Sequence, residues 1–329
     1  MTTLSVQNPT LADMAKLRDP DGNVAQIVEL LDQQNEIIQD ITMQEGNLPT
    51  GHRVTVRTGL PAPTWRKLYG YVAPNKARTA QVVSNCGMLQ ARSTIDKKEA
   101  ELNDNQAAWR MSEDYAHIEG MNQEFAETLI YGNEGTAPEE FTGLAAHYNS
   151  LSAESADNIV DAFSGSGGDL TSIYLAVWSP NTAFCMSPKG GASGLKMEDK
   201  GEQTISDANG GRMDVYETVY SWDVGFCLRD WRFGGRIANI DVSDLATIAN
   251  AQKLINYMID LEERIPNLGA GRAAFYCSRT VRTYLRKAIL ASVSNQLTYD
   301  TVAGKRVLAF DGIPVRRVDK INHAETRVV

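Results

Sequence analysis

Polar and apolar positions alternate along Tyr216, Thr218, Tyr220, Trp222, Val224, Phe226 and Leu228. A period of two predicts a strand with one buried face. Thirteen residues at ~3.3 Å each reach about 43 Å, long against the usual five or six residues. Gly225 inside it predicts a bulge or a bend. A different period runs through Met111, Tyr115, Ile118, Phe125 and Leu129, with spacings of four, three, seven and four. It predicts a helix from about Asn103 to Tyr131 with one apolar stripe. Glu113, Asp114, Glu119, Glu124 and Glu127 make its other faces acidic. At ~1.5 Å per residue that helix is roughly 43 Å long, and Gly132-Asn133 stop it. A long strand and a long helix of matched length predict an elongated layer of an α+β fold.

The remaining pattern fills in around these two elements. Behind the turn Asp19–Asn23, the residues Val24, Ile27, Val28, Leu31, Ile38 and Ile41 predict an amphipathic helix with no neighbour in sequence to cover it. His52–Thr58 and Gln81–Leu89 read as two strands of a hairpin. Pro61 and Pro63 bar a helix in its long tip. Ser172–Ser179 is a short apolar run of the kind that fills a sheet interior. Pro188–Arg212 is rich in Gly and Asp and reads as exposed loops. A helix around Leu245, Ile248, Ile255, Met258 and Ile259 ends by Pro266. A strand at Ala273–Ser278, a basic helix at Thr280–Leu290 and a hairpin turning at Asp311-Gly312 follow. These predict a globular α/β unit in the C-terminal third.

Charge changes the picture of the hairpin. The chain has 329 residues and a net charge of -9. Residues 1–45 hold eight acids and two bases, whereas 46–95 hold seven bases and no acid. The basic set is Arg53, Arg57, Arg66, Lys67, Lys76, Arg78 and Arg92, interleaved with Trp65, Tyr69 and Tyr71. Three readings stay open: a clasp that lies on the acidic helix (Glu113, Asp114, Glu119) or acidic arm of another copy, a nucleic-acid contact with stacking aromatics, and a solvated loop. The acidic total argues against a protein built to hold DNA. No apolar run approaches the roughly 20 residues of a membrane helix. No secretory leader is read at the N-terminus, so a soluble protein made in the cytoplasm is expected.

Motifs for chemistry are sparse. Cys86, Cys185, Cys227 and Cys277 are widely spaced, and His52, His117, His147 and His323 show no ligand spacing, so neither metal nor cofactor is expected. Asp19–Asn23 starts like a calcium loop but lacks its later ligands. Phe163–Ser172 is glycine-rich without the Gly-Lys-Ser/Thr of a phosphate loop. Neither Ser166 nor Ser193 sits in a nucleophile elbow. The densest charged cluster lies in Trp222–Asp241, where Arg229, Asp230, Trp231 and Arg232 are consecutive and Arg236 follows. An active site, a phosphate grip and a protein contact all fit that composition. Trp231 reads as a packing anchor. Asp230 either pairs internally with an arginine or meets a neighbouring copy together with Arg229, Arg232 and Arg236.

Five segments in order carry a resemblance: Ala107–Asn133, Pro138–Leu151, Leu170–Leu195, Gly201–Met213 and Trp222–Asp241. Together they resemble the major capsid proteins of tailed bacteriophages, of a podophage-type group. The resemblance implies the Hong Kong 97-like capsid fold. Its parts would be an N-terminal arm at 1–49, an extended hairpin loop (E-loop) at 50–95, and a peripheral domain with a spine helix at 96–150. An axial domain would follow at 151–212 and 242–329, interrupted by the long peripheral strand at 213–241. It further implies hexamers and pentamers forming an icosahedral virion head, assembled in the host cytoplasm with scaffolding and portal proteins and possible decoration or cement proteins. The double-stranded DNA would be enclosed without sequence-specific binding, and no membrane is involved. No catalytic role is expected. Lys67 and Lys76 lie in the loop, but no activating acid marks either for a covalent crosslink. The rival readings are a cellular nanocompartment shell of related fold and a cytosolic enzyme with an unrecognised site.

Overall fold

A computed structural model describes residues 35–101, 106–162, 167–191, 194–206, 211–291, 297–302 and 305–329. The strands are β1 (Met43–Glu45), β2 (Gly51–Gly59), β3 (Arg78–Asp96), β4 (Ile159–Asp161), β5 (Leu170–Trp178), β6 (Ala183–Ser187) and β7 (Lys196–Ser206). They continue with β8 (Arg212–Leu228), β9 (Gly234–Asp241), β10 (Arg272–Cys277), β11 (Leu297–Val302), β12 (Lys305–Phe310) and β13 (Ile313–Arg317). The helices are α1 (Ile37–Asp40), α2 (Lys97–Glu101), α3 (Gln106–Tyr131), α4 (Leu144–His147), α5 (Ile248–Glu263) and α6 (Arg279–Ala291). The chain divides into two compact units, each described by itself.

The larger unit comprises Gln33–Met88, Phe125–Gly194 and Asp223–Val329. Its centre is β5, all nine residues of which are buried. It pairs antiparallel with β9 on one side and β10 on the other. A strand covered on both faces explains why 172–179 reads as an unbroken apolar run rather than an alternation. β13 joins β10 in parallel and β12 in antiparallel fashion. The turn between β12 and β13 has positive φ at both Asp311 (46°) and Gly312 (83°), the hairpin geometry expected of an Asp-Gly pair. Leu254, Met258 and Leu261 of α5 and Val281 and Leu285 of α6 close the core over Ile173, Leu175, Val177 and Phe275.

Among the described residues the smaller unit falls within Leu89–Glu124 and Leu195–Trp222. Its described core is thin: Ile95, Ala100 and Trp109, with Tyr216 packed against them. β7 runs antiparallel to β8, from Lys196 opposite Ser221 to Ser206 opposite Arg212. A register shift falls between Asp199 and Gly201, and Gly201 has φ 70°.

Four sequence expectations need correction. Pro188–Arg212 is not all loop, because eleven of its residues form β7. Nearly every side chain there is exposed, so backbone pairing makes the strand and leaves no apolar period to read. At Gly225 the ladder with β6 reaches its end without a register shift, so no bulge is seen in that pairing. A Cβ there would lie 2.6 Å from the Asn85 carbonyl oxygen, so glycine permits a close backbone approach. The stripe of the long helix divides. Phe125 and Leu129 are buried with Ala126 and Ile130, but Met111, Tyr115 and Ile118 are exposed and Trp109 is the buried residue of the early turns. Finally, the helix expected to run through Ile41 ends at Asp40, where Ile41 turns extended (ψ 133°). Ile37 and Asp40 are its buried residues, in place of Ile38 and Ile41. Val24, Ile27, Val28, Leu31 and the Asp19–Asn23 turn lie outside the described residues.

Candidate functional site

The hairpin is built from β2 and β3, paired from Gly51 opposite Asn85 to Gly59 opposite Arg78. Val54 anchors its base in a cluster with Phe184, Met186 and Cys227. The Asn47 side chain brackets the Arg53 backbone, donating to its carbonyl at 2.8 Å and accepting from its N–H at 2.7 Å. His52 meets Phe184 edge-on at 5.3 Å. Burial first, and the charge of Arg229 second, hold its pKa below the usual histidine value.

Beyond β2 the chain leaves regular structure, as Pro61 and Pro63 require. The tip is nonetheless tied. Asn75 Nδ2 donates to the Ala62 carbonyl at 2.8 Å across thirteen residues. Gly70 N donates to the Lys67 carbonyl at 2.9 Å, closing a turn in which Tyr69 takes φ 63°. An aromatic residue in the left-handed region is costly and recurs at functional positions. Arg66, Lys67, Lys76 and Arg78 are all exposed, as are Arg53 and Arg57 nearer the base. Leu60, Trp65, Leu68, Tyr69 and Tyr71 are each at least four-fifths exposed. The expected basic, aromatic tip is thus a single tied loop with its apolar groups in water.

On the smaller unit, the expected acidic residues of α3 differ among themselves. Glu113 is half-buried, and so is Glu119, which accepts from Asn122 at 3.2 Å and Gln123 at 2.8 Å. Asp114 is buried, 8% exposed. It lies beside Tyr220, whose hydroxyl is pushed up to about 12, first by burial and then by the Asp114 charge. One turn earlier Arg110 is already engaged, with Asp199 at 2.9 Å and Thr218 at 3.2 Å. An open groove of about 380 Å³ runs here, lined by Met111, Tyr115, Ile118, Met197, Asp114 and Tyr220 among others.

The cluster at 229–236 is taken apart by the structure. Arg229 donates to the Pro180 carbonyl and to Asn181 Oδ1, both at 3.3 Å. Asp230 and Arg232 pair with each other at 2.6 Å, the internal pairing that was one expectation. Asp230 also accepts from the Arg232 backbone N–H at 3.1 Å, capping the short turn Trp231–Phe233. Burial would raise the Asp230 carboxyl, but the hydrogen bonds and charge of Arg232 outweigh it and hold the carboxyl below its ordinary range. Trp231 is half-buried, and its carbonyl accepts from Tyr148 at 2.6 Å. Arg236 is not a surface residue as expected. Its side chain is 5% exposed and pairs at 2.7 Å with Glu325, 4% exposed. Its Nε donates to Ser172 Oγ at 2.9 Å and its Nη1 to the Tyr148 carbonyl at 3.0 Å. Ser172 Oγ bonds Glu325 Oε2, and Tyr131 donates to Glu325 Oε1 at 2.6 Å. Nothing in the sequence near Arg236 announces a partner 89 residues away.

A second network was equally unannounced. Asp40 is buried, accepting from Tyr276 at 3.2 Å and from Arg316 at 3.1 and 3.2 Å. Glu36 pairs with Arg282 at 3.3 Å. Two carboxylates thus fasten the segment around α1 to β10, α6 and β13.

Among the described residues no three His, Cys, Asp or Glu side chains gather as a metal site. Cys185, Cys227 and Cys277 are buried and Cys86 partly so. Burial raises the Cys86 thiol to about 11 and the Cys277 thiol to about 12. Among the described residues no helix is long and apolar enough to cross a membrane.

Comparisons with known proteins follow the geometry. The family described as major capsid protein GP7 matches residues 19–329. A chain in the near-atomic cryo-EM structure of bacteriophage Epsilon15 is 31% identical, with 99% of each chain covered and a TM-score of 0.78. A chain of the bacteriophage JBD30 capsid is 9% identical, covering 97% of this chain and 100% of that one at a TM-score of 0.51, a likeness of fold alone. No curated protein matches the sequence.

Proposed function

The chain belongs to the GP7 family of major capsid proteins, and from that premise we propose how its surfaces serve the shell. It is a phage capsid protein of the Hong Kong 97-like α+β fold, and it forms the shell of the virion by self-assembly. In our reading the subunits gather as hexamers and pentamers of an icosahedral head. Residues 1–49 act as an arm, 50–95 as the extended loop, 96–150 and 213–241 as the peripheral domain, and 151–212 with 242–329 as the axial domain. Assembly takes place in the host cytoplasm, with scaffolding and portal proteins and, where present, a decoration protein. The head encloses double-stranded DNA that it does not read, and the protein has no catalytic role.

The observation that carries the reading is the hairpin tip. Contiguous exposed apolar surface marks an interaction site, and here five large apolar side chains stand in water among cations on a tied loop. The loop serves as a clasp on a neighbouring copy's α3, where Glu113, Asp114 and Glu119 offer the opposite charge. Arg232, which is exposed, and Arg229, which is half-buried, are contacts of the same kind. Each exposed pair is worth only ~0.2–1 kcal/mol, but a closed shell repeats the contact many times. The test is assembly of purified protein followed by electron microscopy. The wild type forms closed shells. Arg66, Lys67, Lys76 and Arg78 all changed to Glu leaves a folded subunit that forms none. Normal shells from that variant refute the charge clasp. Wild type that stays monomeric in every salt condition refutes the shell reading itself.

A further inference from the structure

After β13 the chain runs over the larger unit as a strap, Asp319 to Val329, with no helix or strand of its own. Its apolar burial is slight. Ile321 and Val328 are buried, while Asn322, Ala324, Thr326 and Arg327 are exposed. What holds the strap is polar. The Asn322 N–H donates to the Tyr131 hydroxyl at 3.1 Å, and the Asn322 carbonyl accepts from Thr171 Oγ1 at 2.8 Å. The Glu325 N–H donates to the Leu170 carbonyl at 3.0 Å, and the Glu325 carboxylate meets Arg236 and Tyr131. A main-chain oxygen of Val329 accepts from the Leu151 N–H at 3.0 Å. All these groups belong to the larger unit.

Asn239 reads the strap most closely. Between Ile237 and Ile240, β9 sets Ala238 and Asn239 against the single Ser172 of β5. Asn239, buried in this bulge, takes φ 59°, a region that asparagine enters more readily than most residues. Its side-chain amide donates to the Val328 carbonyl at 3.0 Å and accepts from the Val328 N–H at 2.9 Å. Those are the two bonds that a neighbouring antiparallel strand makes to one residue. Asn239 Nδ2 also donates to Asp161 at 2.7 Å, so the body of the unit orients the amide without help from the strap. Beside the strap lies an open cleft of about 510 Å³, lined by Tyr131, Asn133, Asn149 and Arg236 as well as by strap residues. The strap therefore has room to lift.

We propose that residues 322–328 are a bound ligand of the larger unit: a latch that opens by itself from a groove built to take an extended peptide of the pattern Glu-x-x-Val. Arg236 reads the carboxylate, Asn239 reads the backbone at the aliphatic position, and the Leu170 carbonyl and Thr171 hydroxyl hold the main chain ahead of it. A segment with few buried apolar contacts opens at a lower free energy than the sheet it lies on. The sheet beneath is already closed, because β5 pairs with β9 and β10. Once seated, the latch ties Tyr131 in the last turn of α3 to Arg236 of β9 through Glu325. The inference concerns the single subunit and does not rest on the shell reading.

The first arm of the test is native-state hydrogen exchange on the unaltered full-length subunit. The amides of Leu151, Glu325 and Val328 are expected to exchange together, about a hundredfold faster than those of β5. Exchange of these three only in step with β5 overturns the latch. The second arm uses the full chain carrying Val328→Asp and a free peptide of residues 319–329. The substitution sets a carboxylate against Asn239 and Asp161, and is expected to lower the melting temperature by about 5 °C. Millimolar peptide of the native sequence is expected to recover most of that shift. The same peptide with Glu325→Gln is expected to recover less, and with Val328→Asp none. No recovery by the native peptide overturns the groove, and so does equal recovery by the Val328→Asp peptide. If the Val328→Asp chain does not fold, Val328→Ala carries the peptide arm with the same outcomes, and the exchange arm decides on the unaltered chain.

Discussion

Among the described residues the two units differ in the most sheltered ion pair that each holds. In the larger unit, Arg236 and Glu325 meet almost out of reach of water, and Ser172, Tyr131 and the Tyr148 carbonyl complete their hydrogen bonding. The Tyr174 ring lies under the guanidinium at 5.5 Å. In the smaller unit, Arg92 pairs with Glu217, Lys97 with Glu202 and Lys200 with Glu198, each pair with at least one well-exposed partner. The hydrophobic groups follow the same division. β5 buries nine residues in succession, while α3 leaves Met111, Tyr115 and Ile118 exposed. One unit is complete as a folded body. Among its described residues the other shows a small core and exposed apolar groups on α3.

This contrast can be broken by mutation, and the largest effect is expected at the buried pair. Arg236→Met strands the Glu325 carboxylate in the interior. The subunit should lose about 3–5 kcal/mol in denaturant unfolding. Changing both partners to apolar residues should cost clearly less, because no charge is then left unpaired. A loss below about 1 kcal/mol in Arg236→Met would mean that water reaches the site and that the unit is less closed than described.

A smaller effect comes from His147, again in the larger unit. Burial lowers its pKa to about 4 from an ordinary 6.5, and its ring meets Phe226 edge-on at 6.0 Å. The imidazole is neutral in the fold, while the unfolded chain takes up the proton at higher pH. Its contribution is therefore full above pH 6.5 and lost as the pH falls toward 4, in total about 3 kcal/mol. His147→Phe should flatten the stability profile across that window. An unchanged profile would remove His147 from the account.

The smallest effect is expected in the smaller unit. Arg92→Ala removes an exposed pair and should change subunit stability by no more than about 1 kcal/mol, less still at high salt. A loss as large as that at Arg236 would erase the distinction between the units.

Legibility in the sequence follows the same physics. β5, the Asp311-Gly312 hairpin and the helices at 248–263 and 279–291 could be read, because burial or turn geometry imposes a residue pattern on each. The hairpin's basic, aromatic tip could be read from charge alone. β7 could not, since an edge strand held by backbone pairing asks little of its side chains. Met111, Tyr115 and Ile118 looked like core because helical spacing reports that a face is apolar and does not report what covers it. Arg236 looked like part of a surface cluster because pairing with Glu325 is a product of topology.

That pairing also orders events in time. A ribosome makes Arg236 long before Glu325, so the emerging chain carries an arginine whose buried site lacks its counter-charge until residue 325 has been made. Any product cut short before that point is left with an uncompensated cation in its interior. A chain ending before residue 325 is therefore expected to fold less stably than the full-length subunit.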